Sequence, residues 1–114
     1  MLNDRDKGNL ITLIKFCDRL ENLLSSISKD DYNDSLDYKE ISCFNLLQIG
    51  EVSKKLSDAF TNKYNEVPWK QIKGLRDIIV HDYGSIDFDI VWETVKRDIT
   101  DLNKYCKKIL KDNG

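Results

Sequence analysis

Pro68-Trp69-Lys70-Gln71-Ile72-Lys73-Gly74-Leu75-Arg76-Asp77-Ile78-Ile79-Val80-His81-Asp82-Tyr83 holds the only proline and the only histidine of the chain. Proline suits the first turn of a helix, where its missing N–H has no intrahelical partner to lose. Ile72, Leu75 and Ile79 then recur at three- and four-residue steps. The stretch therefore predicts a short helix with one buried stripe, ending near His81. Arg76 and His81 lie about 140° apart around an ideal helix, so they splay across one end of it instead of stacking.

Two readings of that pair fit the spacing. In one, Arg76 is a solvated cation and His81 a C-terminal residue favoured by the negative end of the helix dipole. In the other, the guanidinium grips a phosphate while the imidazole, which titrates near neutrality, moves protons. Spacing alone leaves both open.

Upstream of the stretch, Thr61 to Val67 reads as a connector. Before it, a helical pattern runs from Leu36 to about Phe60 through Ile41, Phe44, Leu47, Ile49, Val52, Leu56 and Ala59, the longest uninterrupted segment expected. Gly50 inside it costs about 1 kcal/mol relative to alanine, and is either a glycine the helix simply tolerates or the mark of a close helix crossing such as one at a subunit interface. Glu51 beside it is either an exposed charge or an acceptor that orients Arg76 from the neighbouring helix. Residues 28 to 35 are polar and turn-like, with Tyr32 available to anchor the loop. From Lys7 to Ser28 the residues Leu10, Leu13, Ile14, Cys17, Leu20, Leu24 and Ile27 mark the first long helix, with Asp6 or Asp4 as its cap.

Downstream, Asp82 to Ser85 reads as a tight segment in which Gly84 can take a positive φ. Ser85 or Asp87 can cap the last helix, whose stripe is Phe88, Val91, Val95, Ile99, Leu102, Cys106 and Ile109. No run alternates with the period of a strand. The expectation is an all-α, up-down bundle of four major helices forming one domain over residues 1–114.

Composition narrows the chemistry. Lys+Arg 18 against Asp+Glu 20 gives a formal charge of −2, so any nucleic-acid binding needs a local patch. Lys54, Lys55, Lys63, Lys70, Lys73 and Arg76, set against Glu51, Asp58, Glu66 and Asp77, form a mild surplus of that kind. Cys17, Cys43 and Cys106 are far apart and fall on apolar stripes, which suggests core thiols and neither a disulfide framework nor a zinc site. The mixed-charge start and interrupted apolar runs show no signal peptide or membrane span, so a cytoplasmic location is expected. No Gly-rich phosphate loop, metal cluster or Ser/His/Asp triad can be assembled. RNA cleavage by the 2′-hydroxyl needs a base, an acid and charge at the phosphate, and one Arg-His pair supplies only part of that set.

Arg76-Asp77, three residues, His81, one residue and Tyr83, preceded by Pro68-Trp69 and followed by Gly84-Ser85-Ile86-Asp87, resembles the signature of the HepT-like family of HEPN-domain toxins. Asn45 to Ser57 resembles that family's second helix, and together these cover roughly residues 36 to 95. The resemblance implies a homodimer in which two Arg-x4-His helices face each other, forming a metal-independent endoribonuclease without a cofactor and acting on mRNA or tRNA. By carry-over Arg76 binds the scissile phosphate and His81 is acid or base. Asp77, one turn before His81, either raises the imidazole pKa and fixes its tautomer or is an ordinary surface partner. The resemblance further implies a toxin-antitoxin pair whose antitoxin, a minimal nucleotidyltransferase, inactivates the toxin by AMPylation of Tyr83. Without the resemblance, Tyr83 is a half-buried aromatic at the bundle end. The alternative function is a non-catalytic helical partner or nucleotide-binding module of a nucleotidyltransferase.

Overall fold

The computed structural model describes residues 2–113. The helices are α1 (Asp4–Ser25), α2 (Lys29–Asn33), α3 (Leu36–Lys54), α4 (Asp58–Lys63), α5 (Trp69–Asp82), α6 (Phe88–Thr94) and α7 (Thr100–Asn113). A 3₁₀ turn covers Tyr83–Ser85, and a π turn, Val95–Ile99, joins α6 to α7. With α6, the π turn and α7 taken as one rod, four major helices form the all-α bundle, and two short helices fill its corners. Among the described residues no helix is long and apolar enough to cross a membrane.

The first helix buries Leu10, Leu13, Cys17, Leu20 and Leu24 against α3 and α7. Its cap is Asn3, not Asp4 or Asp6: the Asn3 Oδ1 accepts the Asp6 N–H at 2.7 Å. Asp6 is instead buried, and its carboxylate accepts the Ser57 N–H at 2.9 Å and the Ser57 hydroxyl at 2.6 Å. Ser57 is in turn the cap of α4, accepting from the Phe60 N–H at 3.1 Å. That serine is why the pattern running to Phe60 is two helices and not one. The chain leaves α3 after Lys54, the Asn9 amide donates to the Lys55 carbonyl, and Ser57 starts a new helix. Consequently α1, at 22 residues, is the longest α-helix, and α4 takes the first residues of the expected connector. Leu36, Ile41, Phe44 and Ala59, expected on the apolar stripe, are exposed.

The polar segment after α1 is also helical, because Ser28 caps α2 by accepting from the Asp31 N–H. It carries Tyr32 into the core with no exposed surface, edge-on to Phe88 and tilted on Trp92. The Ser42 hydroxyl donates to the Lys39 carbonyl at 2.8 Å, so the Tyr32 hydroxyl, 2.7 Å away, is the donor to Ser42.

Pro68 takes the cap position of α5, one residue before the first turn, with φ −76° and ψ 69°. The backbone kinks there as Trp69 N–H donates to the Val67 carbonyl at 2.8 Å, and the buried Trp69 indole donates to the Tyr64 carbonyl. At the other end Gly84 does not adopt a positive φ. The helix tightens into the 3₁₀ turn, which keeps Gly84 right-handed. Asp87 then caps α6, accepting from the N–H groups of Asp89 and Ile90. Val91, Val95, Ile99, Leu102, Cys106 and Ile109 are all buried. The three thiols are unpaired and buried. Burial pushes the Cys43 thiol up to about 11 and that of Cys106 to about 12, and raises Cys17 as well.

One polar cluster lies between α1 and α7. The Asn103 amide, almost wholly buried, donates to Asp18 and to Glu21, each at 2.8 Å, and its own oxygen has no partner within the protein. Lys107 pairs with Asp18 at 2.8 Å.

Candidate active site

The most extensive helix contact in the bundle is between α3 and α5, and Gly50 sets its depth. A Cβ at Gly50 would stand 2.8 Å from the Arg76 backbone nitrogen, 3.2 Å from the Arg76 Cβ and 3.2 Å from the Ile72 carbonyl oxygen. Only a residue without a side chain lets the two backbones approach so closely. The crossing expected from the sequence is thus inside the chain, and it holds the backbone of Arg76 against α3. Ile72 and Ile79, one turn either side, bury the inner face of α5.

From that position the Arg76 side chain runs along the surface groove between the helices, a little over one third exposed. Its Nε pairs ionically with Glu51 Oε1 at 3.2 Å, and its Nη1 donates to Asp77 Oδ1 at 3.2 Å. Lys54, one turn beyond Glu51, brings its Nζ to 3.5 Å from Glu51 and 3.6 Å from Asp77. Two cations and two carboxylates therefore alternate across the α3/α5 seam. Exposed pairs of this kind add no more than about 1 kcal/mol each to stability, so the cluster's value lies in orientation. The Arg76 guanidinium, followed by the Lys54 charge, holds the Asp77 carboxyl below the usual carboxylate range.

His81 is exposed in the last turn of α5, and no side-chain hydrogen bond holds its ring among the described residues. Asp77, one turn earlier, is directed to Arg76 and Lys54 and makes no hydrogen bond to His81. Tyr83 opens the 3₁₀ turn and is 43% exposed. Desolvation, then the charge of Glu40 and the Cys43 thiol, push that phenol above its ordinary value. The structure thus brings Glu51, Arg76 and Asp77 into direct contact, and places His81 and Tyr83 at the C-terminal end of the same helix. Lys54, counted in the sequence only within a diffuse basic surplus, is the residue that closes the cluster. Its signal was the i, i+3 spacing to Glu51, which is meaningful only once α5 is known to lie alongside.

The two helices of the seam also carry exposed apolar side chains. Phe44 is 54% exposed, Val80 46% and Ile78 52%, all on α3 or α5. Val80 and Tyr83 follow Arg76 at i+4 and i+7, on its side of the helix. Among the described residues no three His, Cys, Asp or Glu side chains are grouped so as to hold a metal ion.

The family model described as "Ribonuclease HepT-like" matches residues 13–109. Two proteins of Methanocaldococcus jannaschii named as candidate RNases are 31% and 32% identical over 108 residues. Each alignment takes in 93% of this chain, and 88% and 91% of the relatives respectively. A Thermococcus cleftensis protein named as a probable ribonuclease HepT is 36% identical over 63 residues, 55% of this chain and 57% of its own length. No solved structure matches the chain significantly.

Proposed function

Because the chain belongs to the HepT-like ribonuclease family, we propose that it is a metal-independent endoribonuclease whose phosphate-binding residue is Arg76 and whose proton-transfer residue is His81. The observation that carries this reading is the way Arg76 is held. Its backbone is pressed onto α3 at Gly50, its Nε is paired with Glu51 from α3, its side chain is a little over one third exposed, and the exposed His81 follows five residues later on the same helix. A fixed guanidinium stabilises the charge that builds on a phosphate during attack by the 2′-hydroxyl, and an imidazole can take or give the proton near neutral pH.

One chain offers one histidine, whereas the reaction needs both an acid and a base. The proposed active form is a homodimer with two Arg76/His81 ends lining one cleft. A two-fold axis brings equivalent residues together, and the exposed Phe44 and Val80 supply apolar surface next to the cluster. Asp77 and Glu51 have supporting roles: Glu51 orients Arg76, and Asp77 sits one turn from His81. The proposed setting is a cytoplasmic toxin-antitoxin pair in which a minimal nucleotidyltransferase adds AMP to the Tyr83 hydroxyl. The added phosphodiester would compete with RNA for Arg76.

The test is cleavage of a mixed RNA substrate by purified wild type, Arg76→Ala and His81→Ala, with EDTA present in one arm. The proposal expects cleavage by the wild type with and without EDTA, loss of at least a hundredfold in either variant, and unchanged circular dichroism. Wild type that binds RNA without cutting it would favour a non-catalytic module. Activity lost in EDTA and restored by magnesium would overturn the metal-independent mechanism.

A further inference from the structure

Asp77 Oδ1 lies between two cations from different helices, 3.2 Å from Arg76 Nη1 on α5 and 3.6 Å from Lys54 Nζ on α3. A single anionic oxygen bridging a guanidinium and an ammonium is the arrangement a non-bridging phosphate oxygen takes in a two-cation site. The two carboxylates of the cluster are not equivalent. Glu51 reaches Arg76 through Nε, on the stem side of the guanidinium, and is 39% exposed. Asp77 sits on the outer nitrogen and is 57% exposed. Glu51 therefore holds the cations from behind, while Asp77 covers the face that points outward.

We propose that Lys54 and Arg76 together form the phosphate clamp of this protein, and that Asp77 occupies the clamp as a resident anion until an RNA phosphate displaces it. The proposal rests on the ribonuclease reading for the identity of its ligand, but it is a statement about binding and is tested as one. Lys54 is a phosphate-binding residue. Asp77 is a positioning residue that keeps the two cations converged in the free protein and lowers affinity for any anion that must replace it. Displacement also leaves the Asp77 carboxylate free on the helix face it shares with His81, one turn away, so phosphate binding and the environment of the imidazole become coupled. The groups around Asp77 that bear on this are Arg76 on its own helix, and Lys54 and Glu51 on α3.

The experiment uses a fully 2′-O-methylated RNA 12-mer, which cannot be cleaved through its 2′ positions, and measures its affinity for the intact protein by fluorescence anisotropy across a range of salt concentrations. The expected result is that Asp77→Asn binds roughly three- to tenfold more tightly than wild type and Lys54→Gln three- to tenfold more weakly. The slope of log affinity against log salt should flatten by about 0.7 for Lys54→Gln, the contribution of one phosphate contact to a single strand. In the double variant the gain from Asp77→Asn should be largely lost, because the clamp it uncovers is incomplete. Asp58→Asn, on α4, controls for a general loss of negative charge and should change affinity by less than twofold. Thermal melts confirm that each variant is folded. Equal gains from Asp58→Asn and Asp77→Asn, no effect of Lys54→Gln on affinity or slope, or independent effects in the double variant would each overturn the clamp. If the binding pattern holds while wild type fails to cut unmodified RNA, the clamp stands and the ribonuclease reading falls. If cleavage is present but the binding arms fail, the reverse holds.

Discussion

Replacing Gly50 with alanine tests whether the close contact of α3 and α5 is what positions the site. The added methyl carbon would meet the Arg76 backbone nitrogen at 2.8 Å, whereas ordinary van der Waals contact begins near 3.4 Å, so α5 must retreat by about 0.6 Å at that point. The obstacle is backbone, and no side-chain rotation relieves it. Two terms then compete. Alanine in a helix interior gains about 1 kcal/mol over glycine, and overpacking of a tight contact costs about 1 to 3 kcal/mol. The expected net loss is about 1 kcal/mol, a fall in Tm of roughly 4 °C for a chain of this size. The effect on cleavage should be larger in proportion. A misplacement of about 1 Å at a reacting group can cost a hundredfold, so a shift of 0.6 Å in Arg76 is expected to lower kcat by about tenfold. Gly74→Ala is the matched control. It lies on α5 with nothing within 4 Å of its added Cβ, so it should gain about 0.5 to 1 kcal/mol and keep full activity. Thermal melts and single-turnover cleavage on the three proteins decide the matter. A Gly50→Ala protein that is stabilised like Gly74→Ala and cuts RNA at the wild-type rate would refute the argument.

Asp6→Ala removes a buried carboxylate and leaves the half-buried Ser57 N–H and hydroxyl without their acceptor, and should lower stability by about 1 to 3 kcal/mol, measurable by urea unfolding. Stability should also decline as pH rises above about 9. The buried thiols and the Tyr32 phenol, pushed up to about 12, stay protonated in the folded chain while the unfolded chain ionises. The unfolded state is therefore favoured progressively until the folded values are reached. Tyr32→Phe should make the decline shallower between pH 10 and 12 while costing about 1 kcal/mol at neutral pH for the lost bond to Ser42; parallel pH-dependent melts of both proteins check this. Tyr83→Phe should keep most of the cleavage activity and escape AMP addition by a cognate nucleotidyltransferase, read by intact mass. An ordinary phenol is protonated at neutral pH, so AMP transfer to it calls for a base on the modifying enzyme.

Much of the fold could be read from local patterns because those patterns are set by burial. The stripes of α1 and of the α6–α7 rod are one-sided, and every cysteine on them is buried. Reading failed where a single polar side chain outweighed periodicity. Ser28 and Ser57 each start a short helix, and the second also ends the apparent continuity of α3 through its bond to Asp6, 51 positions away. Ile41 and Phe44 keep helical spacing yet face solvent, since α3 has apolar residues on more sides than the chain can cover. At the site, Gly50 was legible because a glycine inside a helix calls for a reason, whereas Glu51 stayed open between an exposed charge and a partner of Arg76 because spacing within α3 does not say what lies across from it. Lys54 was not legible, because its role depends on the antiparallel placement of α5, which no spacing within α3 encodes. Nor could the spacing of Asp77 and His81 show that the carboxylate is turned toward the cations of the α3/α5 seam.

The buried amide of Asn103 bears on how many ways α7 can lie along α1. A stripe of leucine, isoleucine and cysteine tolerates sliding by one helical turn, about 5.4 Å, since one aliphatic side chain replaces another with little change in area. Asn103 breaks that degeneracy. A slip that brings Ile99 into its place leaves the Asp18 and Glu21 carboxylates facing methyl groups. The opposite slip draws the Lys107 ammonium inward and pushes the amide among aliphatic neighbours. Burying the amide where two carboxylates accept from it gives the chain one axial alignment of α7 on α1 in place of several nearly equal ones.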